Sequence, residues 1–244
     1  MKKVNIIGSG FSSLSAACHL AKRGFRVEVF EKNSSLGGRA RQFKQDGFTF
    51  DMGPSWYWMP DVFERFFEGF GKKVSDYYKL ERLDPGYQVV FGKDDVFPVY
   101  DSIEKIADCF EMEEKGSGRK LISFLNQAKR NYDVAIDDLV YKPGVSPLEL
   151  VTPVTVKNVG LFLTNVRKQV ERDFKSPKLR SLLQFPVLFL GAKPEQTPAF
   201  YNFMNYADFG LGTWHPKGGM IQIVSAMVSL AKELGVRFLS LIHI

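Results

Sequence analysis

An α/β fold built on a parallel sheet is predicted by three observations near the start of the 244-residue chain. Val4, Ile6 and Ile7 make a short apolar strand, expected to be buried, that runs into Gly8-Ser9-Gly10-Phe11-Ser12-Ser13. Leu14, Ala17, Cys18 and Ala21 recur at helical spacing, and Gly24 stops that helix after Lys22 and Arg23. A second apolar strand, Val27 to Phe30, ends in Glu31. Strand, glycine turn, helix and parallel strand with a terminal acid make the unit that binds the pyrophosphate and adenosine ribose of a dinucleotide, so a Rossmann-like domain is expected.

Each position has a physical role in that expectation. Gly8 turns the backbone without a Cβ penalty, and Gly10 lets the main chain approach a phosphate at the helix N-terminus, where the dipole favours negative charge. The third glycine of the pattern is replaced by Ser13, small enough to keep most of the helix–strand approach. Glu31 lies 21 residues past Gly10, where a carboxylate accepts both ribose hydroxyls. An acid there favours an unphosphorylated ribose and argues against NADP.

The net charge of +6 is distributed as basic, acidic, basic along the chain. Residues 1–50 carry nine basic and three acidic side chains, 51–150 carry 13 against 19, and 151–244 carry 11 against five. That is not the single basic face of a nucleic-acid binder, so no nucleic-acid partner is expected. Cys18 and Cys109 have no paired spacing; with Cys18 on the inner face of the first helix they suggest a reducing compartment and no metal site. The apolar start breaks at Gly8, as a strand does and a signal peptide does not, and Leu182 to Ala192 is too short to span a bilayer.

Further along, Asn33 to Arg39 carries Gly37 and Gly38, which let a loop double back over a cofactor with Arg39 beside a diphosphate or a flavin edge; a plain turn with a solvated arginine is the alternative. Gly47 to Met52 alternates like a strand before Gly53-Pro54-Ser55-Trp56. In this order and spacing, Gly8-Ser9-Gly10, Glu31-Lys32, Gly37-Gly38-Arg39-Ala40-Arg41 and Asp51-Met52-Gly53-Pro54-Ser55-Trp56 resemble the FAD-binding half of the flavin amine oxidase superfamily. Trp56 to Phe63, Leu83 to Tyr87 and Asn205 to Met220 are similar to the bacterial-type phytoene desaturases, and this likeness runs to about Phe238.

The resemblance implies a Rossmann-like FAD-binding domain with an inserted α+β/helical substrate domain. The boundaries expected are 1–82 for the first FAD-binding segment, 83–209 for the substrate domain and 210–244 for an incomplete return to the FAD-binding domain. The C-terminal half is expected to be missing, Ser240 to Ile244 being unlike the family's continuation, and the fragment alone is expected to be inactive and to hold FAD weakly or not at all. FAD would be held by Gly8, Gly10, Ser12, Ser13, Glu31, Lys32, Gly38, Arg39, Gly53, Pro54, Ser55 and Trp56. The implied activity is desaturation of phytoene or a related carotenoid precursor, with hydride transfer to flavin and a quinone or dioxygen as electron acceptor. Two other readings stay open: an amine or protoporphyrinogen oxidase of the same superfamily, and a non-enzymatic Rab-escort-like binding protein. The site expected is cytoplasmic, with peripheral contact at the inner face of the cell membrane.

The remaining segments read as follows. Met59, Phe63, Phe66, Phe67 and Phe70 form a helical stripe ending near Gly71. Tyr87 to Phe91 and Val96 to Tyr100 make a hairpin around Gly92 to Asp95. Asp101 with Glu104 caps a helix through Phe110, Glu111 to Arg119 is a flexible connection, and Leu121 to Tyr132 is helical again. Val159, Phe162, Leu163, Val166 and Val170 form one face of a helix whose other face carries Arg167, Lys168 and Arg172; such a helix can lie on an anionic bilayer or pack on the protein's own core. Leu182 to Leu190 and Phe200 to Tyr206 are dense in aromatics and suit either a dry polyene tunnel or core. Ile221 to Leu234 is a buried helix stopped by Gly235, and a strand follows from Val236. No catalytic acid or base is assigned: His19 is expected to be exposed, His215 has a packing role, and His243 lies in the divergent tail.

Overall fold

The computed structural model describes residues 2–240 apart from 147, 148 and 150. Residues 241–244, and with them His243 and most of the divergent tail, lie outside the described residues. The chain runs β1 (Lys3–Ile7), α1 (Phe11–Lys22), β2 (Arg26–Glu31), β3 (Gln42–Gln45), β4 (Phe48–Asp51), α2 (Pro60–Glu68), β5 (Leu80–Arg82), β6 (Tyr87–Gly92), β7 (Asp95–Val99), α3 (Ile103–Glu113) and α4 (Ser117–Asp137). It continues through α5 (Pro153–Lys157), α6 (Val159–Leu163), α7 (Val166–Asp173), α8 (Pro177–Gln184), α9 (Phe203–Asn205), β8 (Trp214–Pro216), α10 (Ile221–Glu233) and β9 (Arg237–Ser240). Two compact units divide it, one taking Met1–Tyr57, Phe63–Glu81 and Trp214–Ile244, the other Trp58–Val62 and Arg82–Thr213.

The first unit is built on a parallel sheet in the order β1-β2-β9. Val4 pairs with Val27 and Ile6 with Val29; on the other side of β2, Val29 pairs with Phe238. β9 therefore joins the sheet that opens the chain. α1 buries Leu14, Ala17 and Cys18 completely, and α10 buries Ile223, Val224, Met227, Leu230 and Ala231 in the same core. The Cys18 thiol meets the Met227 carbonyl at 3.9 Å, and burial pushes its pKa up to about 12. Small residues on α1 thus let α10 come close, as their helical spacing predicts. One strand expectation fails: Ile7 is 73 % exposed. It shares the side of β1 that carries Lys3 and Asn5, also exposed, so only Val4 and Ile6 face inward.

A second departure in this unit is the hairpin of β3 and β4. Its turn places Asp46 and Gly47 at φ 51° and 83°, as a two-residue turn between twisted strands requires. Phe43, Phe48 and Phe50 are all exposed, with Phe43 and Phe50 stacked at 4.8 Å. The predicted helical stripe divides: Phe63, Phe66, Phe67 and Phe70 enter the core of the first unit, while Met59 packs in the second.

The second unit holds the hairpin β6–β7 and a helical body. Phe110, Phe174, Phe209, Leu121, Leu179 and Leu183 are its fully buried centre. Burying each large side chain contributes roughly 1.5–3 kcal/mol. Three sequence expectations are corrected here. Ser102, not Asp101, caps α3: its hydroxyl accepts the Lys105 N–H at 3.4 Å and donates to Glu104 at 2.6 Å, while Asp101 pairs with the Lys105 ammonium. Glu111 to Arg119 is a tight corner, because the Glu111 carboxylate accepts the N–H groups of Gly116 and Gly118 at 2.7 and 3.1 Å and so caps α4. The helix expected across Val159 to Val170 breaks at Thr164 and Asn165. The Asn165 side chain accepts the Lys168 N–H at 2.8 Å and starts α7, whose Val166 and Val170 are wholly buried. Arg167 is ion-paired to Glu171 and Glu195, and Arg172 to Asp173.

Candidate cofactor site

The glycine turn after β1 is shaped as the sequence suggests. Gly8 sits at φ 89°, a conformation most side chains avoid, and its N–H bonds the Phe30 carbonyl at 2.7 Å, tying β1 to the end of β2. Gly10 is the N-cap of α1, the Leu14 N–H closes the first helical bond to its carbonyl, and no acid stands in the first turn. The positive end of a 12-residue helix thus opens onto this turn with no protein carboxylate of its own to neutralise it.

Two cavities meet at Gly10. One of about 410 Å³ is lined by Ile7, Gly8, Ser9, Gly10, Phe30, Glu31, Lys32, Asn33 and Gly38. The other, about 570 Å³, is lined by Gly10, Phe11, Ser12, Gly37, Arg39, Ala40, Gly53 and Pro54. A Cβ built on Gly8 or Gly10 would touch no protein atom within 4 Å and would instead stand in these cavities. Gly38 is close for a different reason: its Cβ would come within 3.2 Å of the Gly10 Cα, so the loop after β2 lies directly on the glycine turn. A Cβ on Gly53, at φ 101°, would run into the Arg39 carbonyl oxygen. Asp51 accepts the Met220 N–H at 2.8 Å and the Gln42 amide at 2.8 Å, which brings the stretches around Gly53 and Gly219 together.

Of the residues singled out from the sequence, Gly8, Gly10, Glu31, Lys32 and Gly38 line the first cavity, and Gly10, Ser12, Arg39, Gly53 and Pro54 the second. Ser13, Ser55 and Trp56 line neither. Ser13 is half-buried on α1, Ser55 is exposed, and Trp56 is half-buried. The Lys32 and Arg39 side chains are exposed at the cavity rims.

Ser9 and Asn33 were not picked out from the sequence, and both bind Glu31. Glu31 is 4 % exposed; its Oε2 accepts the Ser9 N–H at 3.0 Å and the Ser9 hydroxyl at 2.6 Å, and its Oε1 accepts the Asn33 N–H at 3.0 Å and the Asn33 amide at 2.7 Å. Burial works to raise its pKa, but the Ser9 and Asn33 hydrogen bonds outweigh it and the carboxyl is held below its ordinary value. The Ser9 hydroxyl also accepts the Gly37 N–H at 3.1 Å. A polar middle residue between two glycines, and an Asn two positions after the acid, were the available signals.

Of the described histidines, neither His19 nor His215 lines either cavity. His19 is exposed, its ring against Phe66 and Phe70, and burial with the nearby Arg23 and Lys22 lowers its pKa. His215 lies in β8.

The donor set fits a dinucleotide: a helix N-terminus for a diphosphate, a charged acceptor for a ribose diol, and glycines where a backbone must come close. A family model described as an NAD(P)-binding Rossmann-like domain matches residues 6–71. A carotenoid 3,4-desaturase of Haloarcula japonica is 44 % identical over 96 % of this chain and 48 % of its own length. A zeta-carotene-forming phytoene desaturase of Myxococcus xanthus is 34 % identical over 97 % of the chain and 46 % of its own length. The chain thus spans about half the length of the curated relatives it matches, and the likeness to carotenoid desaturases stated from the motifs is borne out. Among solved structures, a putrescine oxidase superposes with TM-score 0.57 at 18 % identity, covering 97 % of this chain and 50 % of that one. A Rab GDI of Plasmodium falciparum also superposes at 0.57, with 12 % identity over 98 % of this chain and 58 % of its own. These place the chain in a Rossmann-like fold.

Proposed function

We propose that this chain is part of an FAD-dependent carotenoid desaturase. The observation that carries the proposal is the 44 % identity, along nearly the whole chain, to a carotenoid 3,4-desaturase. Fold alone does not decide it, because a Rab GDI superposes as well as an amine oxidase does. In this reading the first unit is the FAD-binding domain and the second the substrate domain. The α1 N-terminus with Gly8, Gly10, Ser12 and Ser13 takes the diphosphate, and Glu31 with the adjoining Lys32 takes the adenosine ribose. Arg39, Gly53 and Pro54 follow the rest of the cofactor along the second cavity, with Gly38 in the first cavity and Ser55 and Trp56 next to Pro54 in the chain.

Bound FAD would supply the hydride acceptor that no protein side chain provides for removing two hydrogens from adjacent carbons. The chain's own residues bind and orient. Glu31 is charged and aimed, the glycine turn admits the diphosphate, and Arg39 neutralises negative charge beside it. In the second unit, a mostly apolar cavity of about 350 Å³ lined by Val89, Leu182, Phe185, Leu188 and Pro194, with Ser181 and Gln184, suits a polyene segment. The electron acceptor in this reading is a quinone or dioxygen.

Peripheral contact with the inner face of the membrane, from the cytoplasm, is part of the same proposal, with its support relocated. No helix among the described residues is long and apolar enough to cross a membrane. The apolar face of α7 is internal, whereas Val145, Val151, Val156, Val159 and Leu163 are each more than half exposed. Exposed apolar side chains of this kind suit a lipid boundary.

Two measurements test the proposal. Titrating the purified protein encoded by the gene that carries this chain into FAD should quench flavin fluorescence. Expressing the gene that carries this chain in bacteria that accumulate phytoene should turn them from colourless to coloured. Colonies that stay colourless while making the folded protein would defeat the desaturase reading.

A further inference from the structure

Glu31 presents a problem of occupancy. A carboxylate offers about four lone-pair directions, and the four hydrogen bonds from Ser9 and Asn33 take them all. A ribose diol can reach this acid only by displacing a donor.

The four donors differ in how easily they move. Two are main-chain N–H groups, fixed by the glycine turn and by the end of β2. The Ser9 hydroxyl belongs to a residue 1 % exposed, and it also accepts the Gly37 N–H at 3.1 Å, a donor shared with the Ser9 carbonyl at 3.1 Å, so it is held by a second tie as well as by Glu31. The Asn33 side-chain amide has no second tie among the described residues; it is half-buried and lines the same cavity as Glu31. It is the donor that can leave at least cost.

Resting on the dinucleotide reading above, we infer that Asn33 is an exchange ligand for Glu31: its amide holds Oε1 until a hydroxyl of an adenosine ribose replaces it, while Ser9 is the fixed donor that keeps the carboxylate aimed. The exchange has a physical rationale. A buried carboxylate stripped of donors is costly, and swapping an amide for a hydroxyl never leaves it bare. The two neighbours of Glu31 therefore act with opposite sign. Ser9 is a positioning residue whose loss weakens binding. Asn33 competes with the ribose, and its loss strengthens binding.

Rapid mixing of FAD with the protein encoded by the gene that carries this chain, followed by flavin fluorescence, separates these roles. Asn33→Ala should bind FAD more tightly and associate faster, by roughly 3- to 10-fold, the factor one net hydrogen bond carries. Ser9→Ala should bind more weakly by roughly 10-fold. In the ¹⁵N-labelled wild-type chain, the side-chain amide signal of Asn33, assigned by its loss in Asn33→Ala, should move when FAD is added. An Asn33→Ala chain that binds FAD as the wild type does, or more weakly, overturns the inference, and so does an amide signal that FAD leaves in place. If wild type and both variants are folded by circular dichroism yet none quenches FAD, the dinucleotide reading itself has failed and the exchange falls with it.

Discussion

Two buried carboxylates, one in each unit, carry opposite charge states for a reason visible in their donors. Glu31, 4 % exposed, accepts four hydrogen bonds and is held below its ordinary pKa. Asp208, 1 % exposed, accepts one: the Tyr87 hydroxyl reaches Oδ2 at 2.6 Å, and Oδ1 has no partner among the described residues. Burial pushes Asp208 up to about 8, only partly countered by Tyr87. Both side chains are shielded from solvent, but Asp208 lies deeper among protein atoms, so burial and its lack of donors act together there, whereas four donors outweigh burial at Glu31. Glu31 sits where a strand ends against a glycine turn with N–H groups to spare. Asp208 sits in a π-helical turn, Tyr206–Gly210, whose neighbouring N–H groups are spent inside it: Leu211 donates to the Tyr206 carbonyl and Gly212 to that of Asp208. A charged acid suits ligand binding, and a neutral one suits a structural strap between β6 and the turn.

The sharpest way to break this contrast is to remove the charged member. Glu31→Ala should weaken FAD binding about 10- to 100-fold, since a hydrogen bond to a charged group contributes about 1.5–3 kcal/mol and the departing Asn33 amide frees one acceptor direction for the ribose. Fluorescence titration measures it; a loss under 3-fold would mean that the acid does not meet the ribose. Next in size is the donor of the neutral member. Tyr87→Phe leaves the Asp208 carboxyl buried without a hydrogen-bond donor among the described residues and should cost about 1–3 kcal/mol in urea unfolding. No change there would show that the strap contributes nothing.

The two regions also differ in how far the sequence alone reveals them. Strand, turn, helix and strand in the first unit were legible because each signal is local: Gly8 and Gly10 set the turn, and Leu14, Ala17 and Cys18 set the buried face. The β6–β7 hairpin was legible for the same reason. What escaped depends on partners distant in sequence. Glu114 caps α8 by accepting the N–H groups of Lys175 and Ser176 at 2.7 and 2.8 Å, a link no window spans. The break in the Val159 to Val170 helix follows from the Asn165 cap, which a continuous apolar period overrode in the pattern. Ser9 lies within the fingerprint, yet its role appears only once β2 brings Glu31 beside it. Asp208 reads as an ordinary surface acid until the second unit closes over it.

The smallest expected effect sharpens the comparison through pH. Asp208 is raised from an ordinary 3.8 to about 8 in the folded chain, so between those values the native state holds the extra proton. Its contribution to stability is therefore fully present near pH 4 and declines as pH rises toward 8, by at most about 1.4 kcal/mol per unit. Asp208→Asn keeps an acceptor for Tyr87 and removes the titration. Unfolding free energies of this variant and the wild type, measured at pH 6 and pH 7, should differ in slope by about 1 kcal/mol, with the variant flatter. Glu31 has the opposite sign: its folded pKa is depressed, so what it contributes is present above its ordinary range and lost only as pH falls into acid. The difference curve for Glu31→Gln should thus be flat between pH 6 and 7, where that for Asp208→Asn slopes. Two sloping curves would mean that both acids titrate near neutrality and that the count of donors does not set their charge.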